Sequence, residues 1–159
     1  MKRLIVLCGL LFFVVTMNAQ IFDLDSKELR VNDIYTPNPN IRFDFAKWTI
    51  LPESLEELDR IAKFLIENDS VIVEVRTHTD GRGSQYSSRR LDYKRSESVV
   101  AYLMSKGVPQ KKLIAKGYGD TEPVVTDEEI ARMSTNQQRE EAYAQNRRVD
   151  FKVVKISTI

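Results

Sequence analysis

The stretch VIVEVRTHTDGRGSQYSSRRLDYKRSESVVAYLMSKGV, Val71 to Val108, decides the fold. Its opening residues are β-branched and mostly apolar, which predicts an interior strand over Val71 to Thr77. From about Ser88 to Lys106 apolar side chains recur at helical spacing, and Gly107 followed by Val108-Pro109 marks the stop. Between strand and helix stand the chain's only histidine, His78, and two glycines, Gly81 and Gly83, either side of Arg82. Within the helix an arginine, Arg95, interrupts what otherwise reads as an apolar face.

Working outward, IRFDF alternates Ile41, Phe43 and Phe45 against Arg42 and Asp44, as a half-buried strand does. Pro52 suits the first turn of a helix in which Leu55, Leu58, Ile61, Ala62 and Leu65 recur at three and four, with Asn68 as the stop. Beyond the central stretch, KLIAKGYG supplies another strand. The polar span TDEEIARMSTNQQREEAYAQ opens with a capping box from Thr126 to Glu129 and reads as helix or insertion. RRVDFKVVKI closes the chain as a strand with Val149, Phe151 and Val153 on one face. The order strand, helix, strand, helix, strand, insertion, strand predicts an α/β two-layer sandwich with a mixed sheet, its first three strands parallel and joined by helical crossovers.

Two segments precede this domain, which is expected over residues 41–159. MKRLIVLCGLLFFVVTMNA has Lys2 and Arg3 ahead of an apolar run from Leu4 to Thr16, and reads as a signal peptide ending at Ala19. The run is short for a membrane span, and Cys8 lies inside it. QIFDLDSKELRVNDIYTPNPN, residues 20–40, lacks a clean period, ends in Pro37 and Pro39, and reads as a strand-poor leader or linker. Loss of residues 1–19 removes Lys2, Arg3 and Cys8 from a chain with 24 basic and 23 acidic side chains, leaving 22 against 23 and no cysteine. An exported, disulfide-free and electrically balanced chain has no broad electrostatic hold on nucleic acid.

Arg95 can now be placed. At about 100° per residue, Leu91, Arg95, Ser98, Val99 and Tyr102 share one side of the helix. An arginine beside a core does not lose its proton, so it requires an anion. Asp80 is the nearest supplier, in the loop at the carboxyl end of the second strand, where α/β sheets bind ligands.

At this point HTDGRGSQYSSRRLDYKRSESVVAYLMSKGV resembles the peptidoglycan-associating motif of OmpA-like C-terminal domains. The motif's Thr-Asp, glycine, leucine and arginine correspond to Thr79, Asp80, Gly83, Leu91 and Arg95. IRFDFAKWTILPES, LIAKGYGDTEP and NRRVDF resemble the family's other landmarks in order, so the likeness covers roughly Ile41 to Val154. The resemblance implies a non-catalytic, cofactor-free domain that clamps the meso-diaminopimelate residue of the cell-wall stem peptide. Arg95 would take its carboxylate and Asp80 its ammonium, with Thr79 and Ser88 beside them and Asp80 as the resting partner of Arg95 in the empty site. It also implies an envelope location, in the periplasm or at the outer membrane, with an outer-membrane protein as a further partner. Two positions depart from the pattern: Ser88 stands for the usual asparagine and Asp92 for the usual serine. Asp92 suits the helix dipole but opposes a ligand carboxylate.

Other chemistries find less support. His78 and Asp80 have no third histidine or cysteine to complete a metal site. Asp44 with Asp80 could be read as a hydrolase pair, and Ser87 or Ser88 as a nucleophile, yet no oriented histidine base accompanies them. Gly81 and Gly83 read as turn residues, Arg147 and Arg148 as partners of local acids, and Trp48 and Tyr35 as packing contacts. The alternative of a different class is an envelope adaptor that has lost wall binding and engages a protein.

Overall fold

The computed structural model describes residues 21–26, 28–82 and 85–157, with the side chains of residues 85–88 outside that set. The expected signal segment lies outside the described residues. Four strands form one mixed sheet: β1 (Ile34–Tyr35), β2 (Val71–His78), β3 (Leu113–Gly119) and β4 (Val149–Ile156), in the order β1-β4-β2-β3. Two long helices, α1 (Leu55–Glu67) and α2 (Gln85–Ser105), pack on each other, and α2 lies on β2 and β3. The polar insertion forms α3 (Asp127–Ala131) and α4 (Asn136–Asn146), and the capping box expected at Thr126 and Glu129 is present.

The core follows the apolar spacing of the sequence. Leu58, Ile61 and Leu65 of α1, Val73 and Val75 of β2, Val99 and Leu103 of α2, and Phe151 and Val153 of β4 are all buried together. Gly107, at φ 99°, ends α2 in a conformation that side chains resist, which is why the helix stops there. Gly117 of β3 has a different use. A Cβ there would stand 2.4 Å from the Tyr93 backbone nitrogen and 2.9 Å from the Arg89 carbonyl oxygen, so only glycine lets α2 lie this close to the sheet. That approach positions the helix that carries Arg95.

The structure differs from expectation in four places. β1, β2 and β3 all run in one direction, as expected, but β1 does not neighbour β2: β4 enters between them, antiparallel to both. IRFDF is no sheet strand: Phe43 bridges only to Ile50, across a tight turn in which Asp44 N–H donates to Thr49 (2.9 Å) and Ala46 takes φ 54°. The turn carries Phe45 out to its tip, 93% exposed, and breaks the inward alternation.

The edge place is taken instead by Ile34–Tyr35, within the segment expected to be a linker. The described residues of this segment pack as part of the domain: Phe22 and Tyr35 are core residues, with Phe22 5.9 Å from the Phe64 ring and Tyr35 6.5 Å from that of Phe151. The Tyr35 hydroxyl donates to Glu57 of α1. Two apolar residues without a period suffice because they meet each other, with ring centres 5.7 Å apart, while touching α1 and β4. Finally, α2 is rotated relative to the expected face: Asp92, Ser96, Val99 and Leu103 are buried, and Arg95 lies at the margin of that stripe.

Candidate functional site

The carboxyl end of β2, the start of β4, the Phe43–Ile50 hairpin and α2 enclose a cleft of about 240 Å³. Its walls include Arg42, Phe43, His78, Arg95, Arg147 and Arg148. Four guanidinium groups around one cleft favour an anion.

Arg95 is held from two sides. Its Nε donates to the Lys47 carbonyl (3.0 Å), and its guanidinium lies 5.0 Å from the centre of the Phe43 ring. The hairpin that displaces Phe45 is thus the element that aims Arg95. The side chain is 16% exposed, and the carboxylate beside it is Asp92, 3.9 Å from a terminal nitrogen. Burial lowers the pKa of Arg95 and Asp92 opposes that shift; the guanidinium stays protonated.

Asp80 sits in the expected loop but is not the resting partner of Arg95. Its Oδ2 accepts from Arg82 Nε (3.0 Å), Arg82 NH2 (2.8 Å) and Arg147 NH1 (2.6 Å), while Oδ1, among the described residues, accepts the Arg82 backbone N–H at 3.2 Å. Burial raises the Asp80 pKa, but the bonds from Arg82 and Arg147 outweigh it and hold the carboxyl below its usual range. Both arginines also reach Glu140 of α4, and the Arg82 guanidinium lies 4.3 Å from the Tyr143 ring centre. The closer partners win because Arg82 is two residues away and Arg147 is brought in by β4. Arg147 in turn connects Asp80 to the cleft wall that it shares with Arg95.

Thr79 anchors the loop through its N–H, which donates to the Gly119 carbonyl (2.9 Å), while its hydroxyl is buried without a partner among the described residues. The Ser88 side chain and Gly83 lie outside the described residues. Beneath the cleft, His78 stacks on Tyr118 at 5.2 Å, and its Nε2 is 3.3 Å from Asp150. Burial lowers the His78 pKa more than Asp150 raises it, which favours the neutral ring. Asp44 is committed to the hairpin turn, accepting from Phe45 N–H (2.8 Å) and Lys47 Nζ (2.6 Å).

Sequence reasoning missed Arg42, Asn40 and the role of Arg147. The Asn40 side chain accepts from Val149 N–H (2.7 Å) and donates to its carbonyl (3.0 Å), fixing the start of β4 beside the cleft. Arg148 bonds Asp150 (3.2 Å) and the Glu122 carbonyl (3.0 Å), a local pairing of the kind expected for both arginines. Arg147 instead crosses to a loop 67 residues earlier. The doublet ahead of a final strand was the one available signal.

Comparison with known proteins follows the same lines. A sequence model described as the OmpA family matches residues 42–137, which contain the hairpin, Asp80 and Arg95 and end before Arg147. Outer membrane protein A of Shimwellia blattae is 38% identical over 92 residues, 57% of this chain and 38% of that protein. The chain spans 26 to 38% of the length of three such curated relatives. Among solved structures, the peptidoglycan-associated lipoprotein from Burkholderia pseudomallei aligns with TM-score 0.58 at 25% identity, covering 71% of this chain and 87% of that one. The cell wall anchor of the T6SS from Pseudomonas aeruginosa aligns with TM-score 0.57 at 27% identity, covering 77% and 79%.

Proposed function

The chain belongs to the OmpA family, and from that membership and the geometry of the cleft we propose that it is a non-catalytic domain that binds peptidoglycan by the diaminopimelate residue of its stem peptide. The observation that carries this reading is Arg95, a half-buried arginine on a cleft wall whose Nε is occupied by Lys47 and whose nearest carboxylate stands at 3.9 Å. A guanidinium fixed at Nε and aimed by an aromatic ring suits a ligand carboxylate. Asp80 is the anionic counterpart. Three donors crowd its Oδ2, but Oδ1 holds one long bond among the described residues, and a carboxylate oxygen with two lone pairs has the capacity to accept an ammonium as well. A side-chain terminus carrying both a carboxylate and an ammonium matches this pair, and Arg147, which bonds Asp80, lines the same cleft as Arg95. The names of the aligned structures, a peptidoglycan-associated lipoprotein and a cell wall anchor, support the same ligand class.

Export through cleavage after Ala19 and a location at the cell envelope complete the proposal, which N-terminal sequencing of the mature protein at Gln20 tests. Among the described residues no helix is long and apolar enough to cross a membrane. The binding test is co-sedimentation with insoluble peptidoglycan of diaminopimelate and lysine types. The protein should sediment with the first and remain largely in solution with the second. Equal sedimentation with both, or folded Asp80→Ala and Arg95→Ala variants that still sediment, would favour a domain that engages a protein partner instead.

A further inference from the structure

We propose that Asp92 is the resting counter-anion of Arg95 and that its protonation sets how strongly the cleft holds a carboxylate. The inference rests on the cleft being a carboxylate-and-ammonium site, and adds a residue that works from behind it. The Asp92 side chain is 0% exposed, and neither carboxylate oxygen has a hydrogen-bond partner among the described residues. Thr77 of β2 donates to the Asp92 main-chain oxygen (2.5 Å), which anchors this turn of α2 but leaves the carboxylate unserved.

The groups that act on the carboxylate come from three directions. Arg95, on its own helix, is the cation. From β3 the Gly119 backbone N–H is near enough to favour the charged form without completing a hydrogen bond, and from the loops after β3 and β2 come the negative charges of Asp120 and Asp80. A buried carboxylate with one distant cation and two like charges is poorly solvated, and the neutral form gains. Burial is the leading cause; Asp120 and Asp80 add to it, Arg95 and Gly119 oppose it, and the pKa is pushed up to about 7. Both forms are therefore populated near neutral pH.

The coupling to ligand has a definite sign. A carboxylate arriving at Arg95 brings a second anion to the guanidinium that Asp92 shares. It disfavours ionised Asp92, so binding above the resting pKa draws a proton onto that residue. Well below pH 7 Asp92 is neutral, Arg95 is free for the ligand, and affinity is at its full value. Above it, affinity falls by at most about tenfold per pH unit, one proton being taken up per ligand, until the raised pKa of the complex is passed. An asparagine at this position would keep the shape and have no charge to compete.

The test is calorimetric titration of the protein with a soluble stem tripeptide ending in diaminopimelate, from pH 5.5 to 9, in two buffers of different ionisation enthalpy. The native protein should bind tightest at and below pH 6.5, lose affinity by about ten- to thirtyfold at pH 8.5, and take up a fraction of a proton approaching one. Asp92→Asn should bind at pH 8.5 as the native protein does at pH 6.5, with that proton uptake gone. A flat native affinity profile would overturn the inference without any variant. So would a profile and proton uptake retained in Asp92→Asn, which would place the titrating group elsewhere. Failure of the native protein to bind the tripeptide at any pH would sink the diaminopimelate reading itself, and this inference with it.

Discussion

Replacing Asp80 by alanine tests whether the empty site is wired as the structure shows. The substitution removes three charge-assisted bonds, two from Arg82 and one from Arg147, and a backbone bond at 3.2 Å. Each such bond is worth about 1.5–3 kcal/mol when its partner is left stranded. Here neither is stranded: the Arg82 and Arg147 side chains are 45% and 39% exposed, and both keep Glu140. The loss should therefore be about 1–2 kcal/mol, a fall in Tm of roughly 3–8 °C for a domain of this size.

A double-mutant cycle assigns that loss. Asp80→Ala combined with Arg147→Ala should show a coupling of about 0.5–1.5 kcal/mol, while Asp80→Ala with Arg95→Ala should be additive within about 0.5 kcal/mol. Chemical denaturation of the ligand-free proteins at low salt is the assay. Because the folded Asp80 pKa is depressed, its contribution is present above the ordinary carboxyl range near pH 4 and is lost as pH falls through the folded value. Native and Asp80→Ala melts should converge in acid. A larger coupling of Asp80 with Arg95 than with Arg147 would refute the wiring and restore a direct clamp between the two.

Further expectations concern the elements that aim the site. Asp92 has a folded pKa above the ordinary carboxyl value, so the fold loses stability as pH rises from about 4 to about 7 and is level beyond; Asp92→Asn should recover on the order of 4 kcal/mol at pH 8 and almost none at pH 4, as thermal melts at both pH values will show. Gly117→Ala places a Cβ against the α2 backbone and should cost about 1–3 kcal/mol while weakening wall binding through displacement of Arg95, read by denaturation and sedimentation together. Arg147→Ala should reduce binding to diaminopimelate-type wall by roughly tenfold with a loss of Tm no greater than that of Asp80→Ala, since Arg147 lines the cleft and orients Asp80 from an exposed position.

Much of the fold was legible because it depends on local signals. The β-branched run of β2, the three-and-four spacing of α1, the Gly107 stop and the Thr126 capping box all act within a few residues, and each stands where its pattern placed it. What escaped the sequence depends on contacts between distant segments. Tyr35 finds its place only when β4 arrives from more than 100 residues later, so nothing near it announces a strand. Phe45 continues a perfect alternation, and the backbone turn at Ala46 overrides it.

The site divides in the same way. Asp80 and Arg95 could be chosen from a strand-end loop and an arginine on a helix, and the structure sets Arg95 on the cleft wall and joins Asp80 to that wall through Arg147. Their resting partners could not be read, because Arg147 reaches Asp80 across the sheet and the helix rotation that buries Asp92 is set by Gly117 on another strand. A polar residue at the centre of a helix's buried face runs against the apolar pattern from which such a face is inferred.

The most direct measurement compares two soluble stem tripeptides that differ only in the terminal side-chain carboxylate, one ending in diaminopimelate and one in lysine, by calorimetry at pH 6.5 with native protein and Arg95→Ala. If Arg95 grips that carboxylate, the native protein should prefer the diaminopimelate peptide by roughly 10- to 150-fold, as expected for one charge-assisted bond. Arg95→Ala should bind both peptides equally, at the native affinity for the lysine form. Equal native affinity for the two peptides, or a preference that survives in Arg95→Ala, would contradict the account.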